Sequence, residues 1–81
     1  MIRLTIYSRA DCHLCHEMRA VVETVAREWP LELVEVDVDG DPALEAAYGT
    51  RIPVLCVDGN EAFEGRMDAA ALRARLARER R

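Results

Sequence analysis

Cys12 and Cys15 stand three positions apart in the stretch Ser8-Arg9-Ala10-Asp11-Cys12-His13-Leu14-Cys15-His16. An apolar, β-prone run precedes them and an amphipathic helical pattern follows. Residues i and i+3 lie on one side of a helical turn. Their Cα atoms are then about 5 to 6 Å apart, within the span of a disulfide. The first N–H groups of a helix are unpaired and carry partial positive charge, so a thiolate at Cys12 is stabilised and its pKa is expected below that of a free thiol. Cys15, one turn in, is expected to be more buried and more nearly normal. The chemistry this spacing supports is thiol–disulfide exchange: Cys12 attacks a substrate disulfide, and Cys15 resolves the mixed disulfide. Local charge acts both ways. Asp11 raises the Cys12 pKa, whereas a protonated His13 or His16 lowers it, with His13 the better placed.

Other chemistries use the same residues. Cys12-His13-Leu14-Cys15-His16 also fits the C-x-x-C-H pattern of covalent haem attachment, with His16 as axial ligand. That attachment needs export, and the start from Met1 to Tyr7 lacks the long apolar region and cleavage site of a signal peptide. Cys12, Cys15, His16 and Cys56 would supply four zinc ligands, yet a second close pair is missing and Cys56 falls in mid-strand. A binding or metal-sensing module without turnover is the alternative from another functional class. Cys56 shares strand parity with Val54 and reads as a core thiol; a third redox cysteine is the sharper alternative.

The elements that must position the dithiol follow from periodicity. Ile2 to Tyr7 reads as a strand, and Ser8 to Asp11 as a loop. From His13 to Trp29 the apolar residues Leu14, Met18, Val21, Val22, Val25 and Trp29 mark one helix face, ended by Pro30. Leu31 to Val38 alternates apolar and acidic, so the second strand is expected parallel to the first through a right-handed crossover. The acidic turn Asp37-Val38-Asp39-Gly40-Asp41-Pro42 lacks the spacing and terminal Glu of a calcium loop. Asp41 caps a short helix from Pro42 to Tyr48, ended by Gly49. Pro53 to Val57 and Glu61 to Glu64 are expected to form an antiparallel hairpin through Asp58-Gly59. Gly65 breaks the run, and Asp68 caps a last helix that carries Leu72 and Leu76. Arg73, Arg75, Arg78, Arg80 and Arg81 crowd its end, where cations oppose the helix dipole. The order β-α-β-α-β-β-α predicts a three-layer α/β fold with a four-stranded mixed sheet.

The whole chain bounds this reading. Its 81 residues suit one domain spanning 1–81, and 51% hydrophobic with 32% charged residues argues against disorder. No apolar run approaches the roughly 20 residues that span a bilayer, so no membrane partner is expected. The net charge of −4, from 15 acidic and 11 basic residues, disfavours a nucleic-acid partner. Three cysteines do not make a secreted disulfide framework, and a cytoplasmic monomer is expected.

With these residues in view, the chain resembles the glutaredoxin-like branch of the thioredoxin superfamily along nearly its whole length. The strand, loop, C-x-x-C and helix pattern matches Thr5 to Trp29, and Arg51-Ile52-Pro53 stands where the family carries a cis-proline opposite the dithiol. The resemblance implies a thioredoxin-like fold and a thiol–disulfide oxidoreductase with Cys12 as nucleophile, Cys15 as resolving thiol and His13 as modulator. It implies no bound cofactor or metal. Its partners would be protein or low-molecular-weight disulfides, with glutathione a candidate co-substrate. Ile52 and Pro53 would form the substrate edge. Arg9, Leu14, Gly65, Arg66 and Asp68 stand at the substrate-binding positions. His13-Leu14 replaces the usual Pro-Tyr between the cysteines, and Arg66 and Ala69 replace a glycine and an acidic residue of the glutathione motif.

Overall fold

In the computed structural model, which describes residues 1–79, β1 (Ile2–Ser8) pairs in parallel with β2 (Leu31–Asp37). On its other side β1 pairs antiparallel with β3 (Val54–Val57), which pairs antiparallel with β4 (Asn60–Glu64). The strand order is β2-β1-β3-β4, a mixed sheet of the expected kind. Three helices complete it: α1 (His13–Ala26), α2 (Pro42–Tyr48) and α3 (Ala69–Glu79).

Alternation in the strands sorts their side chains to two faces. Register places Leu4 opposite Val57 and Ile6 opposite Leu55. These four pack with Met18, Val22 and Val25 of α1 and with Leu72 and Leu76 of α3 in one buried cluster. Each such side chain contributes about 1.5–3 kcal/mol of transfer free energy. The other face carries Thr5 and Tyr7 opposite Cys56 and Val54. There Tyr7 stacks on Tyr48 of α2, with ring centroids 4.0 Å apart and planes 12° from parallel, so α2 forms the third layer. Cys56 is buried on this face and not in the main cluster.

The element ends differ from the periodic reading in instructive ways. α1 stops at Ala26, short of Trp29. The Arg27 N–H reaches Thr24 O and Val25 O, and the N–H groups of Glu28 and Trp29 both reach Val25 O. Pro30 disfavours helical geometry at Trp29, so the chain tightens into a turn that still delivers Trp29 to the core. Val38 lies outside β2, yet it is buried and donates its N–H to Ser8 O at 2.9 Å. Pro53 lies just outside β3, where a residue without an N–H leaves the ladder intact. β4 begins one residue early, at Asn60, and a bulge sets Leu55 opposite Phe63 but Cys56 opposite Glu61.

Turns and caps follow sequence chemistry. Asp58 and Gly59 both have positive φ, 48° and 88°, as a two-residue hairpin turn requires. Asp41 Oδ1 accepts the N–H groups of Ala43 and Leu44, and Asp68 Oδ1 accepts that of Ala71. Gly49 ends α2 with an ordinary right-handed φ of −54°. Its reason is space: a Cβ there would come 2.6 Å from Glu45 O and 3.1 Å from Arg9 Nη2. Of the arginines expected at the end of α3, Arg80 and Arg81 lie outside the described residues. Among the described residues no helix is long and apolar enough to cross a membrane.

Arg73 of α3 grips Glu28, beyond the end of α1, through two bonds of 2.8 and 2.7 Å. The guanidinium holds the Glu28 carboxyl below its usual range, chiefly by hydrogen bonding. A carboxylate with a depressed folded-state pKa contributes stability above its unfolded value of about 4.3, and that stability is lost as pH falls through the lower folded value. Urea midpoints of Arg73→Gln should therefore trail those of the unaltered chain at pH 6, and the gap should narrow toward pH 3. A gap independent of pH would remove the ion pair as its cause.

Candidate active site

β1 delivers the chain to Ser8, which is buried and whose carbonyl is held by the Val38 N–H. A turn closes when Cys12 N–H donates to Arg9 O at 3.3 Å, and α1 starts at His13. Cys12 is the N-cap of α1, with φ −94° and ψ 107°. Its sulfur accepts the Cys15 N–H at 3.0 Å, the place a serine or aspartate oxygen takes at other helix starts. Cys12 and Cys15 are joined by a disulfide, with Cα atoms 5.1 Å apart. Cys12 is half-buried and Cys15 fully buried, so the cysteine one turn into the helix is the more buried of the two, as its position predicts.

His13 is exposed and turns along the helix toward Glu17, its Nε2 2.9 Å from Glu17 Oε2. The other Glu17 oxygen lies 3.4 Å from Arg66 Nη1. Glu17 and Arg66 edge a groove of about 370 Å³ between the first turns of α1 and the β4–α3 connection. Leu14, Met18, Val21 and Met67 supply its apolar lining, and Gly65 and Asp68 lie on the same wall. The structure thus sets Leu14, Gly65, Arg66 and Asp68, four of the positions named through the resemblance, along one groove. The Ile52–Pro53 bond is cis, and Pro53 O accepts the Gly65 N–H at 2.8 Å, tying the loop before β3 to the groove wall.

Arg9 is placed differently. Its Nε lies 3.0 Å from Asp39 and its Nη2 3.3 Å from Glu45, so its charge is engaged between the β2–α2 turn and α2. The zinc set of Cys12, Cys15, His16 and Cys56 is not assembled, and among the described residues no group of three or more His, Cys, Asp or Glu could hold a metal.

Two residues escaped the sequence reading. Glu17 had a visible signal, since it follows His13 by four positions on a helix. Arg51 had none. Its guanidinium lies 2.9 Å from Glu61 and 3.2 Å from Glu64, donates to Ala47 O, and sits 5.5 Å from the centre of the Tyr48 ring. It holds the Glu61 carboxyl below its usual range, chiefly by hydrogen bonding. It also clips β4 and α2 to the segment just before the cis-proline. Near it, burial pushes the Cys56 thiol up, with Glu61 adding to the shift. A buried neutral thiol is a poor nucleophile.

The comparisons with known proteins agree with this geometry. The model of the Glutaredoxin-like domain (DUF836) matches residues 3–77. The Uncharacterized protein Rv0508 of Mycobacterium tuberculosis is 31% identical over 81 residues, covering 94% of this chain and 84% of its own length. The solved target protein XcR50 from X. campestris is 40% identical, with a TM-score of 0.78 over 93% of this chain and 96% of its own. A mutant thioredoxin from Halobacterium salinarum is 32% identical, with a TM-score of 0.71 over 95% of this chain and 73% of its own.

Proposed function

This chain belongs to the glutaredoxin-like domain family, and from that membership we propose that it is a thiol–disulfide oxidoreductase in which Cys12 attacks and Cys15 resolves. One observation carries the reading: Cys12, half-buried, caps α1 with its sulfur accepting the Cys15 N–H, while Cys15 is fully buried. In the forward direction the Cys12 thiolate attacks one sulfur of a substrate disulfide. The substrate's S–S bond breaks, and the leaving sulfur takes a proton. Cys15 then gives up its proton and attacks the Cys12 sulfur. The second substrate thiol departs, and the Cys12–Cys15 disulfide remains. The protein's two thiols are oxidised, and one disulfide becomes two thiols.

Of the pair Ile52 and Pro53, the Pro53 side chain is fully buried and Ile52 is half-buried, so the substrate edge of this reading is the backbone at Ile52, along which an extended substrate lies. Leu14, Gly65, Arg66 and Asp68 line the groove a substrate would enter. His13 acts as a modulator from the first turn of α1. In this reading the substrates are protein or low-molecular-weight disulfides, and glutathione is a candidate co-substrate. The protein works as a monomer in the cytoplasm, without bound cofactor or metal and without a membrane or nucleic-acid partner.

Trapping tests the proposal. Cys15→Ser leaves the mixed disulfide with no resolving thiol, so under mild oxidation with a disulfide substrate the variant should carry one adduct, on Cys12. Intact mass and peptide mapping would identify the adduct as glutathione or protein. A variant recovered without adduct, or with the adduct on Cys56, would overturn the assignment.

A further inference from the structure

Glu17 uses both carboxylate oxygens at the mouth of the groove, one toward His13 at 2.9 Å and one toward Arg66 at 3.4 Å. Arg66 is the arginine on the groove wall, and it faces a carboxylate before any substrate arrives. The other arginine flanking the motif, Arg9, is engaged by Asp39 and Glu45. Asp68 lies on the same wall as Arg66, and exposed Asp11 immediately precedes Cys12. Along the groove, then, the carboxylates of Glu17 and Asp68 outnumber the guanidinium of Arg66, in a chain whose net charge is −4.

We infer that Glu17 is a specificity-determining residue that turns the groove away from anionic disulfides, which ranks the net-anionic glutathione disulfide below other candidates, and toward cationic and neutral ones. The inference rests on the exchange reading above. A substrate carboxylate entering the groove must displace Glu17 from Arg66 and also approach Asp68. A substrate ammonium meets those same carboxylates as partners. The groups are exposed, so the preference is screened by salt and acts mainly on encounter.

The test uses the full chain, pre-reduced and freed of reductant, and three small symmetric disulfides. Cystamine is cationic, hydroxyethyl disulfide neutral and dithiodipropionate anionic. In each reaction the Cys12 and Cys15 thiols become one disulfide, and the reagent's disulfide becomes two thiols. Each second-order rate constant is scaled to the same reagent's reaction with free dithiothreitol. The unaltered chain should react faster with cystamine than with dithiodipropionate at low salt. Glu17→Gln should lower that ratio about two- to fivefold, the size expected for one exposed charge. Arg66→Gln should raise it, and high salt should pull all three proteins together. A ratio that neither substitution moves, or that Glu17→Gln raises, overturns the inference while leaving exchange with the neutral reagent intact. If the neutral reagent oxidises the unaltered chain no faster than a Cys12→Ser control, the exchange reading itself fails and this inference falls with it.

Discussion

Cys12→Ser abolishes disulfide exchange, with an expected loss on the order of a thousandfold or more, because a serine hydroxyl neither ionises near neutral pH nor forms the S–S bond the cycle requires. Nothing nearby substitutes for the missing sulfur. Cys15 is fully buried. Cys56 is buried on the other face of the sheet, and its thiol is pushed up. The fold should tolerate the change, since serine is a favoured residue at the helix start that Cys12 occupies. Circular dichroism and thermal midpoint should therefore match those of the reduced, unaltered chain while the rate with hydroxyethyl disulfide collapses. A variant that kept more than about a tenth of the original rate would remove Cys12 from the role of nucleophile.

Leu55→Ala should cost about 2–5 kcal/mol, a large share of the roughly 5–15 kcal/mol that holds a domain together. Leu55 is fully buried in β3, an inner strand, with Ile6 opposite on one side and Phe63 on the other. Truncation removes atoms from the cluster that joins the sheet to α1 and α3, and the rigid strand pairing leaves little scope for collapse. At about 4–8 °C per kcal/mol for a domain of this size, the thermal midpoint should fall by about 8 °C or more. Calorimetry or urea titration of the reduced protein would measure it. A shift of only a few degrees would show that the neighbours close over the smaller side chain.

The contrast between these residues and the groove explains what could be read from sequence. The dithiol, its helix start and the core strands were legible because they rest on short-range pattern: a three-residue spacing, alternation in β1, and one apolar face on α1. The charged contacts were not. Arg9 meets Asp39 and Glu45 across 30 and 36 positions, and Glu17 meets Arg66 across 49. No local periodicity encodes such pairings. Gly49 was placed correctly for a different reason, because the close approach of Arg9 and the Glu45 carbonyl exists only in the folded chain. The end of α1 was misjudged because a tightened turn continues the apolar stripe that a helix would present. The cis state of Pro53 was legible through family likeness, not through any physical signal in the residues around it.

The N–H of Cys15 already points at the Cys12 sulfur while the two cysteines are bonded to each other. A sulfur that emerges from that bond as an anion meets an oriented donor at once, fixed by the backbone rather than recruited from water. Little reorganisation then accompanies cleavage of the bond, and a donor that favours the thiolate weights the pair toward its reduced form. Under the proposed exchange chemistry, the balance between that weighting and the potentials of the thiols it meets sets which way electrons run.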